Sequence, residues 1–227
     1  MEASFLQSPA FIISALITIG AGGYAYGYLP RQMRHAYRQS LLTLAGAVET
    51  KDTGAVGHGG RVAAHVVATA REMRVPRKQI TRMEYAAFLQ DIGNVRVPHF
   101  ILNRAENLSP EEFEIVRTHA TIGAEVAERV TFLKDIAPII KHHHEAWDGS
   151  GYPDGIRGEE IPLGARMIAV CTAFDAMTHE KAWRRAMSVD DAVSTIRGGA
   201  GSKYDPAVVD AFLRALKKRQ REEDQHS

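Results

Sequence analysis

Two adjacent imidazoles, a carboxylate and a Gly/Pro turn follow one another in His143-His144-Glu145-Ala146-Trp147-Asp148-Gly149-Ser150-Gly151-Tyr152-Pro153. Imidazole nitrogen and carboxylate oxygen are ligands that borderline metals take, and glycines let a backbone approach a ligand closely. The run therefore reads as a metal centre beside a small-ligand loop. Other candidate ligands stand far off along the chain. They are His58 in His-Gly-Gly-Arg-Val, Asp91 in Gln90-Asp91-Ile92-Gly93-Asn94, His119 in Arg-Thr-His-Ala, and Asp175 in the stretch from Val170 to Thr178. Ligands drawn from such distant positions need rigid supports.

The pattern of apolar residues makes those supports helices. Val62, Val66, Val67, Ala70 and Met73 mark the core face of one that Pro76 ends. Another runs to about Ile92, where Gly93-Asn94 breaks it. Ser109-Pro110-Glu111-Glu112 is a helix start, with a capping Ser, Pro in the first turn and Glu able to reach back. Further helices fit about 120–130, 133–143, 162–179, 189–198 and 206–221, the last begun by Asp205-Pro206, and no alternating strand runs or repeats interrupt them. At 227 residues and 45% hydrophobic the chain can bury one sizeable core. A formal charge of +1 argues against a nucleic-acid polymer as partner. The single Cys171 excludes an internal disulfide and suits a reducing compartment.

The N-terminal stretch differs in kind. Residues 10–29 carry no charge, and twenty helical residues span roughly 30 Å, the hydrocarbon thickness of a bilayer. Arg31, Arg34 and Arg38 follow, which by the positive-inside rule puts the C-terminal bulk in the cytoplasm. Tyr24, Tyr26 and Tyr28 suit the membrane interface. A signal peptide would carry a basic leading segment, which is missing, and a buried core helix is seldom apolar on every face at this length. The expectation is a single-pass inner-membrane anchor. Gly23 and Gly27 have the spacing at which two such helices pack, though simple lipid-facing filler explains them as well.

From His58 through Gln90-Asp91, His119 and His143-His144 to Tyr204-Asp205-Pro206, the chain resembles the HD-GYP domains, a branch of the HD phosphohydrolase superfamily. The resemblance covers roughly residues 40–213. It implies an all-α helical bundle preceded here by one transmembrane helix: an anchor over 1–30, a juxtamembrane linker helix over 31–50, the HD-GYP domain over 51–215 and a polar tail over 216–227. It also implies iron or manganese, two or three ions per domain, with a bridging hydroxide attacking cyclic di-GMP to give pGpG or GMP. Two ions lower the pKa of the water between them and neutralise charge developing on phosphate oxygens.

Carried over residue by residue, the resemblance is uneven. Metal ligands fall on His58, Asp91, His119, His143 and His144. The histidine of the His-Asp doublet falls on Gln90, a late aspartate on Thr172, a phosphate-facing lysine on Asn94 and a glutamate of the three-metal members on Gly54. One metal position, formed by His58, residue 90, Asp91 and residue 172, is therefore short of ligands. The other, formed by Asp91, His119, His143 and His144, is complete. Amide and hydroxyl bind transition metals more weakly than imidazole or carboxylate, so one divalent metal is expected and a two-metal centre is not. His58 then either binds metal or is hydrogen-bonded to Gln90. Asp175, one turn past Thr172, is a candidate substitute ligand. The four remaining ligands could also form a hydrogen-bonded cluster without metal. The dinucleotide would meet Asp148, Gly151 and Tyr152 in the loop, and Lys181 and Arg184 downstream, where Lys replaces the usual Arg and loses its bidentate fork. His65 and His142 match no ligand of the family. The expected role is a degenerate phosphodiesterase that binds cyclic di-GMP and has a signalling protein or a second copy of itself as partner; the alternative is an enzyme with residual hydrolysis of cyclic di-GMP to pGpG or GMP.

Overall fold

Proline and serine set the first helix. Ser8 caps it by accepting from the backbone N–H of Phe11, and α1 runs over Pro9–Gly22. A computed structural model describes residues 8–49, 57–104, 108–180 and 185–225. It divides the chain into two units, Met1–Ser40 and Leu41–Ser227. In the first, α1 passes through one wider turn, Gly23–Tyr28, into α2, Leu29–Glu49. Leu16, Ile17 and Ile19 are 64–70% exposed. The helical span Pro9–Glu49 is long and apolar enough to cross a membrane by length and composition.

The second unit is helical, with no strand among the described residues. The final turns of α2 contribute Leu41 and Ala45 to its core. Next come α3, His58–Glu72, and α4, Arg77–Leu89, followed by a 3-10 turn over Ile92–Arg96 and the short α5, His99–Leu102. The long α6, Pro110–Glu128, opens on the expected capping box, in which Ser109 and Glu112 satisfy each other's backbone N–H. It packs on the 3-10 turn and on α7, Ala137–Lys141. One helix over 133–143 was expected from the sequence. In its place stand a 3-10 turn, Lys134–Ile136, and the five-residue α7, with Pro138 near the start. Proline has no N–H to give and suits only a helix's first turn.

α8, Leu163–Thr178, is the central helix: Met167, Ile168, Val170 and Cys171 are all fully buried, and so is Asp175. α3 packs on it with Val62, Val66 and Ala70, spaced i, i+4, i+8. α9, Val189–Gly198, and α10, Pro206–Asp224, complete the bundle, the latter burying Val208, Val209 and Phe212. Burying a side chain the size of Phe212 contributes about 1.5–3 kcal/mol. Asp205 starts α10 as expected, accepting from the N–H of Ala207.

Candidate metal centre

Three imidazoles meet where α6 faces the turn after α7. Ligand nitrogens of His119, His143 and His144 all lie within 4.8 Å of one another. The backbone fixes two of the rings: His119 Nδ1 sits 2.6 Å from the Val116 carbonyl, and His143 Nδ1 2.6 Å from that of Ile140. A carbonyl only accepts, so each Nδ1 carries the proton and each Nε2 turns a lone pair inward. That is the tautomer a metal-binding histidine needs. Burial, reinforced by the neighbouring imidazoles, holds His143 at about 4 and His144 well below its ordinary value. Both rings are therefore neutral at neutral pH, the form that binds metal.

Asp91 joins the group because a backbone approach allows it. A Cβ on Gly93 would overlap the carbonyl oxygen of His119, so only glycine lets the 3-10 turn lie this close to α6. Asp91 Oδ1 then lies 3.6 Å from His119 Nε2, and Oδ2 lies 3.9 Å from His58 Nε2. The carboxylate stands between the two groups of residues that the sequence separates into two metal positions.

At the other position the residues satisfy one another. The Thr172 hydroxyl donates to Gln90 Oε1 at 2.9 Å, and Gln90 Nε2 lies 3.0 Å from His58 Nε2. His58 Nδ1 lies 2.7 Å from Asp175 Oδ2, while Arg61 donates to both Asp175 oxygens at 2.7 and 3.0 Å. One directional reading fits every distance: Thr172 to Gln90, Gln90 to His58, His58 to Asp175. In it the His58 Nε2 lone pair, the one that would bind metal, accepts from an amide. Burial lowers the His58 pKa, but the bond to Asp175 and the charges of Asp91 and Asp175 outweigh it and leave the value raised. Gln90 opposes protonation, since its N–H needs that lone pair. Asp175 holds His58 from the Nδ1 side, away from Asp91. Burial would raise its own pKa, yet His58 and Arg61 bring it to about 2. The sequence offered no reason to single out Arg61 beyond its place one turn after His58. Asn94 lines the same cavity of about 200 Å3 as His58, Gln90, Asp91 and Thr172, with Phe88, Ile92 and Leu102 as apolar walls.

The glycine loop packs against the triad. Tyr152 stacks on His144, centroids 4.8 Å apart, and the Arg117 guanidinium lies 4.9 Å over the tyrosine ring. A Cβ on Gly151 would run into the backbone of His144, Glu145 and Ala146, which explains that glycine. Asp148 Oδ1 accepts from the N–H and hydroxyl of Ser150 and so shapes the turn. Glu145, the carboxylate of the His-His-Glu run, is not among the gathered ligands. It is buried and accepts from the N–H groups of Asp154 and Gly155, anchoring the loop. His142 is largely buried beside Glu145 at 3.6 Å, and His65 lies edge-on to Phe174. Lys181 and Arg184, expected on the dinucleotide, and Gly54 lie outside the described residues.

Comparison with known proteins then places the chain. The HD domain family matches residues 43–208. A cyclic di-GMP phosphodiesterase of Thermotoga maritima is 38% identical over 163 residues, 68% of this chain and 44% of that protein. The cyclic di-GMP phosphodiesterase response regulator RpfG of Xanthomonas campestris is 34% identical over 179 residues, 78% of this chain and 47% of that one. This chain belongs to the HD domain family, in its HD-GYP branch. It spans about half the length of these curated relatives. A cyclic GMP-AMP specific phosphodiesterase of Vibrio cholerae has a similar fold, with a TM-score of 0.62 and 20% identity over 79% of this chain and 48% of that one. The residues gathered here suit the metal dependence of the superfamily: His143 and His144 held neutral, the Nδ1 atoms of His119 and His143 fixed outward on backbone carbonyls, and a carboxylate at the edge. Asp91, His119, His143 and His144 would hold an ion.

Proposed function

We propose that this protein is a membrane-anchored HD-GYP module of cyclic di-GMP signalling that holds one divalent ion, iron or manganese, and binds the nucleotide without turning it over. Its anchor would be residues 10–29 in the inner membrane, with the remainder in the cytoplasm. The observation that carries the reading is the string Thr172–Gln90–His58–Asp175, which spends the His58 lone pair on an amide. A lone ion beside the triad would polarise water from one side only, and Asn94 brings no cation to the phosphate. Tyr152, stacked on His144 beside the ion position, supports retained binding of a base or phosphate, with Asp148 and Gly151 shaping the loop and Lys181 and Arg184 gripping the ligand. The relatives named for cyclic di-GMP support that choice of nucleotide. A second copy or a signalling protein would receive the output.

A second reading, residual hydrolysis, is favoured by Asp91, which lies within 4 Å of both His119 and His58. The deciding experiment measures metal content of the full chain purified without oxygen and follows cyclic di-GMP incubated with it by chromatography. One ion with the nucleotide bound but unchanged supports the binding module. Two ions with formation of pGpG or GMP overturn it in favour of the enzyme.

A further inference from the structure

α3 begins without a capping side chain of its own. Gly57, at φ +75°, precedes His58 and offers nothing to the unpaired N–H groups of the first turn. Glu49, the last residue of α2, supplies the missing acceptor. Its Oε2 accepts from the Gly57 N–H and its Oε1 from the Gly59 N–H, both at 2.7 Å. A carboxylate is also the charge that a helix N-terminus favours. The two bonded residues flank His58, so its backbone is gripped on both sides.

The packing around this turn leaves little room for another arrangement. A Cβ on Gly59 would lie 3.1 Å from the Phe88 carbonyl oxygen and 3.2 Å from Glu49 Oε1. Glycine therefore lets the turn lie against α2 on one side and the end of α4 on the other, just before Gln90. Leu41 and Ala45, both buried, precede Glu49 at helical spacing, so one face of α2 carries all three. Ala45, Val48 and Glu49 also line the cavity of about 200 Å3 that holds His58, Gln90 and Asp91. The end of the expected linker helix is thus a wall of the candidate metal centre.

We propose that the end of α2 is a latch on His58: Glu49 holds the first turn of α3 in register with Gln90, and withdrawal of α2 frees the His58 lone pair. The latch rests on the Thr172–Gln90–His58–Asp175 string of the proposed function. It adds what keeps that string closed, a carboxylate at the end of the helix continuous with the apolar N-terminal span. A shift of that helix changes whether His58 is available as a ligand, with no change in ligand types.

Carbethoxylation by diethyl pyrocarbonate, which is attacked by an imidazole lone pair, tests this in the full chain in detergent at neutral pH with EDTA. The initial rate at His58 is read by peptide mass spectrometry. His58 is expected to react slowly in the native protein and about tenfold faster in Glu49→Ala, as loss of a charge-assisted hydrogen bond predicts. One alanine inserted between Gly46 and Ala47 turns Glu49 about 100° off its face of α2 and should speed the reaction equally. Gln90→Ala frees the lone pair directly and serves as the reference, whereas Ser109→Ala, a lost cap on α6, leaves His58 slow. Fast reaction in Gln90→Ala but not in Glu49→Ala or the insertion overturns the latch and keeps the string. A native rate equal to that of Gln90→Ala overturns the string and the latch with it. Equal acceleration in Ser109→Ala would mean general loosening and also overturn the latch.

Discussion

At residue scale, Gln90 and Thr172 matter as a pair. Each completes the hydrogen bonding of the other, so neither reverts independently. Thr172→Asp alone sets a carboxylate against the Gln90 carbonyl oxygen, two acceptors with no proton between them. A buried acceptor left without its donor costs about 1–3 kcal/mol, so a lower melting temperature with unchanged metal content is expected. Gln90→His with Thr172→Asp together restores four ligands and frees His58. Elemental analysis is expected to rise from one ion per chain to two, and hydrolysis of cyclic di-GMP to appear. A double variant still holding one ion would mean that the string is not what excludes the second. Asp175→Asn removes the buried partner of Arg61 and His58 and is expected to destabilise the fold by on the order of 3 kcal/mol in chemical denaturation.

His143 sets a pH dependence for the metal-free protein. Its folded pKa, about 4, lies below the ordinary value of 6.5, so the unfolded chain binds the extra proton first as pH falls. The stability tied to the neutral ring is complete above pH 6.5 and is lost progressively between about 6.5 and 4. His143→Gln should flatten that portion of a denaturation-versus-pH curve. An unchanged slope would place the titration elsewhere.

At the scale of elements, two glycines hold the centre together. Gly93 brings the Asp91 turn onto α6, and Gly151 folds the loop back over the triad. Gly93→Ala forces a methyl group into the His119 carbonyl, an overpacking that costs about 1–3 kcal/mol or more. Because the displaced turn carries Asp91, metal affinity should fall along with stability. Ser109→Ala removes a cap from the same α6 and costs about 1 kcal/mol, yet leaves the triad in place. Comparing metal affinity of the two variants separates position from stability. If both lose metal equally, the close approach at Gly93 has no special role.

At the scale of the whole molecule, a span able to cross a bilayer precedes a helical unit that buries its own core. The full chain is expected to sediment with membranes and to resist extraction by high salt and carbonate. Release by either treatment would remove the anchor from the proposal. The relatives are about twice as long as the aligned segment, so the substrate and output of this chain must be measured on the chain itself.

Helix content, the cap at Ser109, the starts at Pro162 and Pro206 and the identity of the histidine triad were legible in the sequence. The helix signals depend on local spacing, whereas the triad, whose His119 stands 24 residues before His143, came from the family resemblance. The split of residues 133–143 was less legible, since Pro138 marks a helix's first turn without saying which residue precedes it. Four outcomes were decided only by tertiary structure: Glu145 turned to the loop backbone, Asp175 bonded behind His58, Arg61 drawn to Asp175, and the His58 lone pair spent on Gln90. All four involve side chains tens of residues apart or choices among several nearby partners. A polar side chain buried between helices must find a hydrogen-bond partner, but sequence supplies only the types available. Which donor meets which acceptor is decided by the packing of α3, α4 and α8, and that choice separates a ligand-poor metal position from a closed hydrogen-bonded one.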